Sequence, residues 1–236
     1  MYVSADAPGF PYDRHRGPHP GIIAVVYVIL FVASLASFGI LSHGSGYPMP
    51  LGPLENAQHI YQQFPDAIRL SALLQFGAAI PLGLFTAAVT SRLSFLGVNV
   101  TGVSIALFGG IAASLFITTS ALCSWILSQP GIANDLGVMH AVQLFGFTSG
   151  GVAHVVALGL LISGISVPCL LGSYAPKWVA WLGLILAGIA ELSTLSLVIP
   201  QLNYLLPVAR FGSYIWLIST GFTLIKKRQE PTAKKA

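Results

Sequence analysis

The chain has 236 residues, 55% hydrophobic and 8% charged, with 11 Lys and Arg against 7 Asp and Glu. Soluble domains carry about 25% charged residues, so a water-soluble fold is excluded; at about 20 apolar residues per crossing there is room for six crossings without a separate soluble catalytic unit. The net charge of +4 does not point to nucleic acid, because the basic residues fall at chain ends and short loops, where they read as orientation signals.

Residues 1–20 are rich in Pro, Gly and His and read as a polar cytoplasmic arm. The first apolar run, 21–41, follows Arg14 and Arg16, which resemble the charged start of a signal peptide. At about 20 residues the run is long for such a peptide, and it is read as the first span. Between 54 and 64, Leu54, Ala57, Tyr61 and Phe64 recur on one helical face with polar residues around the remainder, which predicts an external amphipathic helix capping the bundle or lying on the membrane.

Five further apolar runs follow at 68–90, 100–127, 138–163, 178–199 and 205–225. Pro81 and Pro168 are the candidate kinks, since each removes a backbone donor. No run alternates apolar and polar residues as a β-barrel strand does. The expected fold is all-α: a polytopic integral membrane bundle of six transmembrane helices over 21–225, with a basic cytoplasmic tail at 226–236. Arg14, Arg16, Arg92 in the second-to-third loop, Lys177 and the five basic residues of the tail make nine of eleven on one side. Glu55, Asp66 and Asp135 lie opposite, so both termini are expected in the cytoplasm.

The polar residues inside these runs are the candidate site. Glu191 lies nine residues before Pro200 and Arg210 seven beyond Asn203, depths of about 13 and 10 Å at 1.5 Å per residue. A lone charge at such depth costs roughly 2.5 to 3.5 kcal/mol, so the two are expected to form an ion pair between spans five and six. In span four, His140 and His154 are fourteen residues apart, close to four helical turns, and with Gln143 they make one polar stripe. Tyr214 stands one turn beyond Arg210 on the same face. These six residues, Glu191, Arg210, His140, Gln143, His154 and Tyr214, are the expected ligand-binding set.

No catalytic constellation emerges. Ser149 and His154 are five apart on one helix, about 140° around its axis, which does not make a dyad. No metal site or cofactor is expected; haem held through His140 and His154 is the alternative, and it needs ligands from elsewhere. Cys123 and Cys169 fall in opposite leaflets and read as packing residues. Gly146, Gly150 and Gly151 suggest close helix approach. Gly110-Ile111-Ala112-Ala113 and Gly188-Ile189-Ala190-Glu191 form a loose internal echo.

The stretch Trp181-Leu182-Gly183-Leu184 through Glu191-Leu192-Ser193, continued by Leu206-Pro207-Val208-Ala209-Arg210-Phe211-Gly212, resembles bacterial six-helix integral membrane proteins of no established activity. The resemblance covers the second half of the chain. It implies a bacterial inner-membrane location and no particular chemistry.

Three functions follow as expectations. The first is a transporter, channel or receptor that binds a small polar or anionic solute in an outward-facing cavity floored near His154. The second is a non-catalytic accessory or structural subunit, as a homo-oligomer or within a larger membrane complex. The third is a membrane redox carrier or enzyme using the span-four histidines. Membrane lipids are partners in all three.

Overall fold

In hydrocarbon an open chain must satisfy its backbone within each segment, which leaves the helix as the solution for these apolar runs. The computed structural model describes residue 15 and residues 17–226, and these are all-helical, without a strand. The α-helices are α1 Pro20–Leu41, α2 Leu54–Gln63, α3 Pro65–Phe95, α4 Thr101–Leu127, α5 Leu136–Thr148, α6 His154–Gly172, α7 Lys177–Leu192 and α8 Leu205–Thr223. A π-turn, Ser149–Ala153, joins α5 to α6, and 3-10 turns occupy Ile132–Asn134, Ser193–Leu197 and Pro200–Tyr204.

Five helical segments are long and apolar enough to cross a membrane: α1, α3, α4, the joined Leu136–Gly172, and Lys177–Leu197. The 19-residue α8 is not among these five; it carries Arg210 together with Ser213, Tyr214, Ser219, Thr220 and Thr223.

Local chemistry sets the helix ends. His19 caps α1, its Nδ1 accepting the Gly21 N–H at 3.2 Å, with Pro20 at the first helical position. Asp135 caps α5 by accepting the Val138 N–H at 3.0 Å. At the far end of α3, Gly97 takes φ 86° and lets the Val98 N–H reach back to the Leu93 carbonyl at 3.0 Å. Arg92 is therefore not in the second-to-third loop, where the sequence reading puts it. It lies in the last turn of α3 and is only 4% exposed. Pro81 and Pro168 sit inside α3 and α6, which continue past them.

The long helices form a closed ring: α1 packs on α3, α3 on α4, α4 on α6, α6 on α7, α7 on α8, and α8 back on α1. Glycine makes the tightest seam. A Cβ at Gly109 would lie 2.6 Å from the Leu161 nitrogen, and one at Gly164 would lie 2.7 Å from the Ala106 nitrogen, so α4 and α6 meet backbone to backbone. The interior holds Tyr27, Phe85, Leu161, Ile162, Ile165 and Trp216. The echo between α4 and α7 does not extend to packing, since Gly110 is pressed on Thr86 whereas Gly188 has open space.

α2 caps this bundle. Ala57 and Tyr61 are buried in a cluster with Phe38, Ile68, Leu127 and Met139, while Gln58 donates to the Ala133 carbonyl at 2.7 Å. The terminal arm and tail lie outside the described residues, apart from His15, 17–19 and Lys226. There the His15 N–H reaches the Lys226 carbonyl at 3.4 Å, where α1 begins and α8 ends.

Candidate functional site

The site grows from the π-turn. Switching to i→i+5 bonding within a long helix leaves a carbonyl out of register with the α-helical ladder. The carbonyl of Gly150 accepts a hydrogen bond from Arg210 Nη2 on α8. Position 150 requires glycine because α4 passes beside it, and a Cβ there would stand 2.7 Å from Ser120 Cβ. Gly146 is confined by Cys123 Cβ at 2.9 Å, whereas Gly151 has only an ordinary contact with Leu206 at 3.5 Å.

Arg210 lies thirteen residues before the end of α8, about 20 Å along the axis. Its Cζ sits 5.5 Å from the centre of the Phe31 ring, a cation–π contact that partly offsets the lost hydration. One turn on, Tyr214 meets Tyr27 edge-on at 5.6 Å and Phe31 at 5.6 Å. His154, fully buried at the start of α6, places Nδ1 2.8 Å from the Ala113 carbonyl. A carbonyl only accepts, so this nitrogen carries the proton, and in the neutral ring Nε2 presents a lone pair.

The Arg210 charge acts on Tyr27, His154 and Tyr214, which places the four groups in one electrostatic neighbourhood. Arg210 Nε and His154 Nε2 are buried without a hydrogen-bond partner among the described residues, and the buried hydroxyls of Tyr27 and Tyr214 face each other, without a close hydrogen bond to any described group. Each such atom left unpaired costs about 1–3 kcal/mol. Together they offer a facing pair of hydroxyls, one N–H donor and one lone pair to a small polar occupant.

The six expected site residues divide. Arg210, His154 and Tyr214 come together; Glu191, His140 and Gln143 do not join them. Glu191 is exposed on α7 beside Gly159, where an added Cβ would stand 3.1 Å from its Oε1. The expected ion pair with Arg210 is absent, and the one ion pair among the described residues joins Arg69 to Asp66 at 3.0 Å. The reason is local: the π-turn carbonyl and the Phe31 ring take the guanidinium, while the carboxylate occupies the outer surface of the bundle.

The single polar stripe in span four also fails, because the π-turn between His140 and His154 changes the helical phase that a straight helix would keep. Gln143 belongs to the α2 end of the bundle, where its Nε2 donates to the Pro48 carbonyl at 3.3 Å. His140 is half-buried with Nδ1 unpartnered.

The residues missed in the sequence are Tyr27 and Phe31. Tyr27, Phe31, Ser34 and Phe38 follow 4-3-4 spacing and form the buried face of α1, a signal present in the sequence. A cavity of about 500 Å³ opens beside the α2 cap, lined by Tyr47, Pro48, Asn56 and His59. Two apolar grooves run along Phe108, Phe116 and Phe145, and along Leu73, Phe76 and Trp125. Arg210 lines none of these three.

Comparison of the chain with family models, with curated proteins and with solved structures finds no match.

Proposed function

We propose that the protein is a six-span integral membrane protein that binds a small polar or anionic solute at Arg210, in the interior of its helix ring. The observation that carries this reading is that a guanidinium with no carboxylate partner among the described residues, and with Nε unpaired, shares its surroundings with the unpaired His154 Nε2 and with the facing hydroxyls of Tyr27 and Tyr214. The donor and acceptor pattern suits a small oxyanion that keeps one hydrogen, with oxygens toward Arg210 and the tyrosines and an O–H toward His154. His140 and Gln143 are not part of this site.

The ring supports α8 as the sixth crossing, because it fills the gap between α7 and α1 and turns Ala209, Ser213, Tyr214 and Trp216 inward. Its lower apolarity reflects an interior-facing polar group. An even number of crossings and nine of eleven basic residues on one side support cytoplasmic termini, and the resemblance of 181–193 and 206–212 supports a bacterial inner membrane.

A thermal-shift series with bicarbonate, which keeps an O–H, against formate, acetate and nitrate, which have none, tests the solute reading, and bicarbonate should give the largest shift. A ligand at about 100 times its Kd adds about 2.7 kcal/mol of stability, and the shift should vanish in Arg210→Gln. Equal shifts in both proteins, or none in the wild type, would contradict it. One observation favours the accessory-subunit reading instead: Glu191 is a carboxylate exposed on the flank of an apolar helix. A charge there suits a basic residue of a neighbouring membrane protein. Under that reading Glu191→Gln would release a co-purifying partner.

A further inference from the structure

At the end of the bundle where α1 begins and α3 and α8 finish, hydrogen-bond donors collect without a carboxylate among the described residues. Arg92, in the last turn of α3 and only 4% exposed, has both Nε and Nη1 unpartnered among the described residues. His19 spends Nδ1 on the Gly21 N–H at 3.2 Å, so its neutral ring carries the proton on Nε2. That Nε2 faces the Lys226 ammonium at 3.1 Å, donor against donor. His15 lies alongside, with Nε2 3.0 Å from Ser91 Oγ and Nδ1 buried and unpartnered.

The charges reinforce the geometry. Burial lowers the pKa of His19, helped by the cations Lys226 and Arg92, and burial followed by Arg92 does the same at His15. The described carboxylates stand elsewhere: Glu55, Asp66 and Asp135 at the opposite end, Glu191 in the outer half of α7. Arg92 is a buried cation whose Nε and Nη1 have no acceptor among the described residues, and it acts together with the exposed Lys226 ammonium on His19, so an anion with several acceptor oxygens would satisfy donors that the described residues leave unpaired.

We infer that this cradle of Arg92, Lys226 and His19 binds a phosphate group, its oxygens accepting from Arg92 Nε and Nη1, the Lys226 ammonium and His19 Nε2. The site lies at the ends of three helices, where the phosphate layer of a leaflet would meet the bundle, so the phosphate comes from a lipid headgroup or from solution. The assignment is independent of the Arg210 reading, which concerns another part of the molecule.

The test uses the full-length purified protein. In one arm, native mass spectrometry counts retained adducts of phosphatidylglycerol; in the other, inorganic phosphate is compared with chloride at equal ionic strength by thermal shift. Lys226→Gln removes an exposed cation with little risk to folding, and Arg92→Lys keeps the charge but loses the guanidinium geometry. We expect one arm or both to respond in the wild type, and to weaken by about tenfold in at least one of the two variants. Response to the phospholipid alone assigns a headgroup, response to inorganic phosphate alone assigns a soluble anion, and response to both assigns a headgroup site open to solution. Arg210→Gln should leave this binding unchanged even where it abolishes the bicarbonate shift. No response in either arm, or wild-type binding in both variants, would overturn the assignment.

Discussion

Arg210 is tied to the carbonyl of Gly150, sixty residues earlier in the chain, at the turn where the long Leu136–Gly172 helix departs from α-helical bonding. This bond links α8 to the junction of α5 and α6. It also explains how a guanidinium is held inside an apolar bundle without a carboxylate, with one nitrogen on a backbone oxygen and its charge above an aromatic ring.

Glu191 and Arg210 should behave as energetically independent residues. Glu191→Gln is expected to change detergent stability by no more than about 0.5 kcal/mol, whereas Arg210→Gln strands the Gly150 carbonyl and costs about 1–3 kcal/mol. In a double-mutant cycle the coupling should be near zero. A large loss in Glu191→Gln that Arg210→Gln recovers would restore the ion pair and remove the basis for the solute site.

Gly150→Ala drives a Cβ into Ser120 and should destabilise by about 1–3 kcal/mol. Ser120→Gly removes the colliding atoms, so the double variant should regain most of the loss. If Gly150→Ala alone is neutral by thermal denaturation, α4 does not pass the π-turn as closely as described.

The sequence and the structure agree where hydropathy or spacing carries the information. The apolar runs became helices, and the 54–64 pattern became the cap helix Leu54–Gln63 because Ala57 and Tyr61 share one buried face. The π-turn was not legible: Ser149-Gly150-Gly151 suits close helix packing and gives no sign of an extra residue in the turn. That one residue moves His154 out of line with His140. Arg92 was misplaced because a charged residue near a Gly-containing loop reads as loop, whereas the helix in fact runs on to Phe95.

Topology has a direct check. With both termini inside, a cysteine introduced at Ser4 should resist an impermeant maleimide on intact cells, and one at Gln63 in the cap should react. The reverse pattern would invert the bundle and place the Arg92 end outside.

Acid should loosen the start of α1. His15 and His19 both titrate below the ordinary 6.5, so between their lowered pKa values and 6.5 the unfolded chain binds more protons than the folded one. The stabilisation they allow is complete above pH 6.5 and declines as the pH falls below it. Hydrogen exchange at 19–24, corrected for intrinsic rates, should rise between about pH 7 and pH 5. The double variant His15→Asn, His19→Asn, which keeps a good N-cap, should lack most of that rise. An unchanged acid response would assign the effect to other groups.

The interior polar site around Arg210 is tested most directly by an experimental density map at a resolution that shows ordered solvent. A non-protein peak should lie within about 3 Å of Arg210 Nε and of at least one among His154 Nε2, Tyr27 Oη and Tyr214 Oη. If these atoms instead close on one another or on backbone carbonyls, with no space between them, the site is a structural clamp and the solute reading fails.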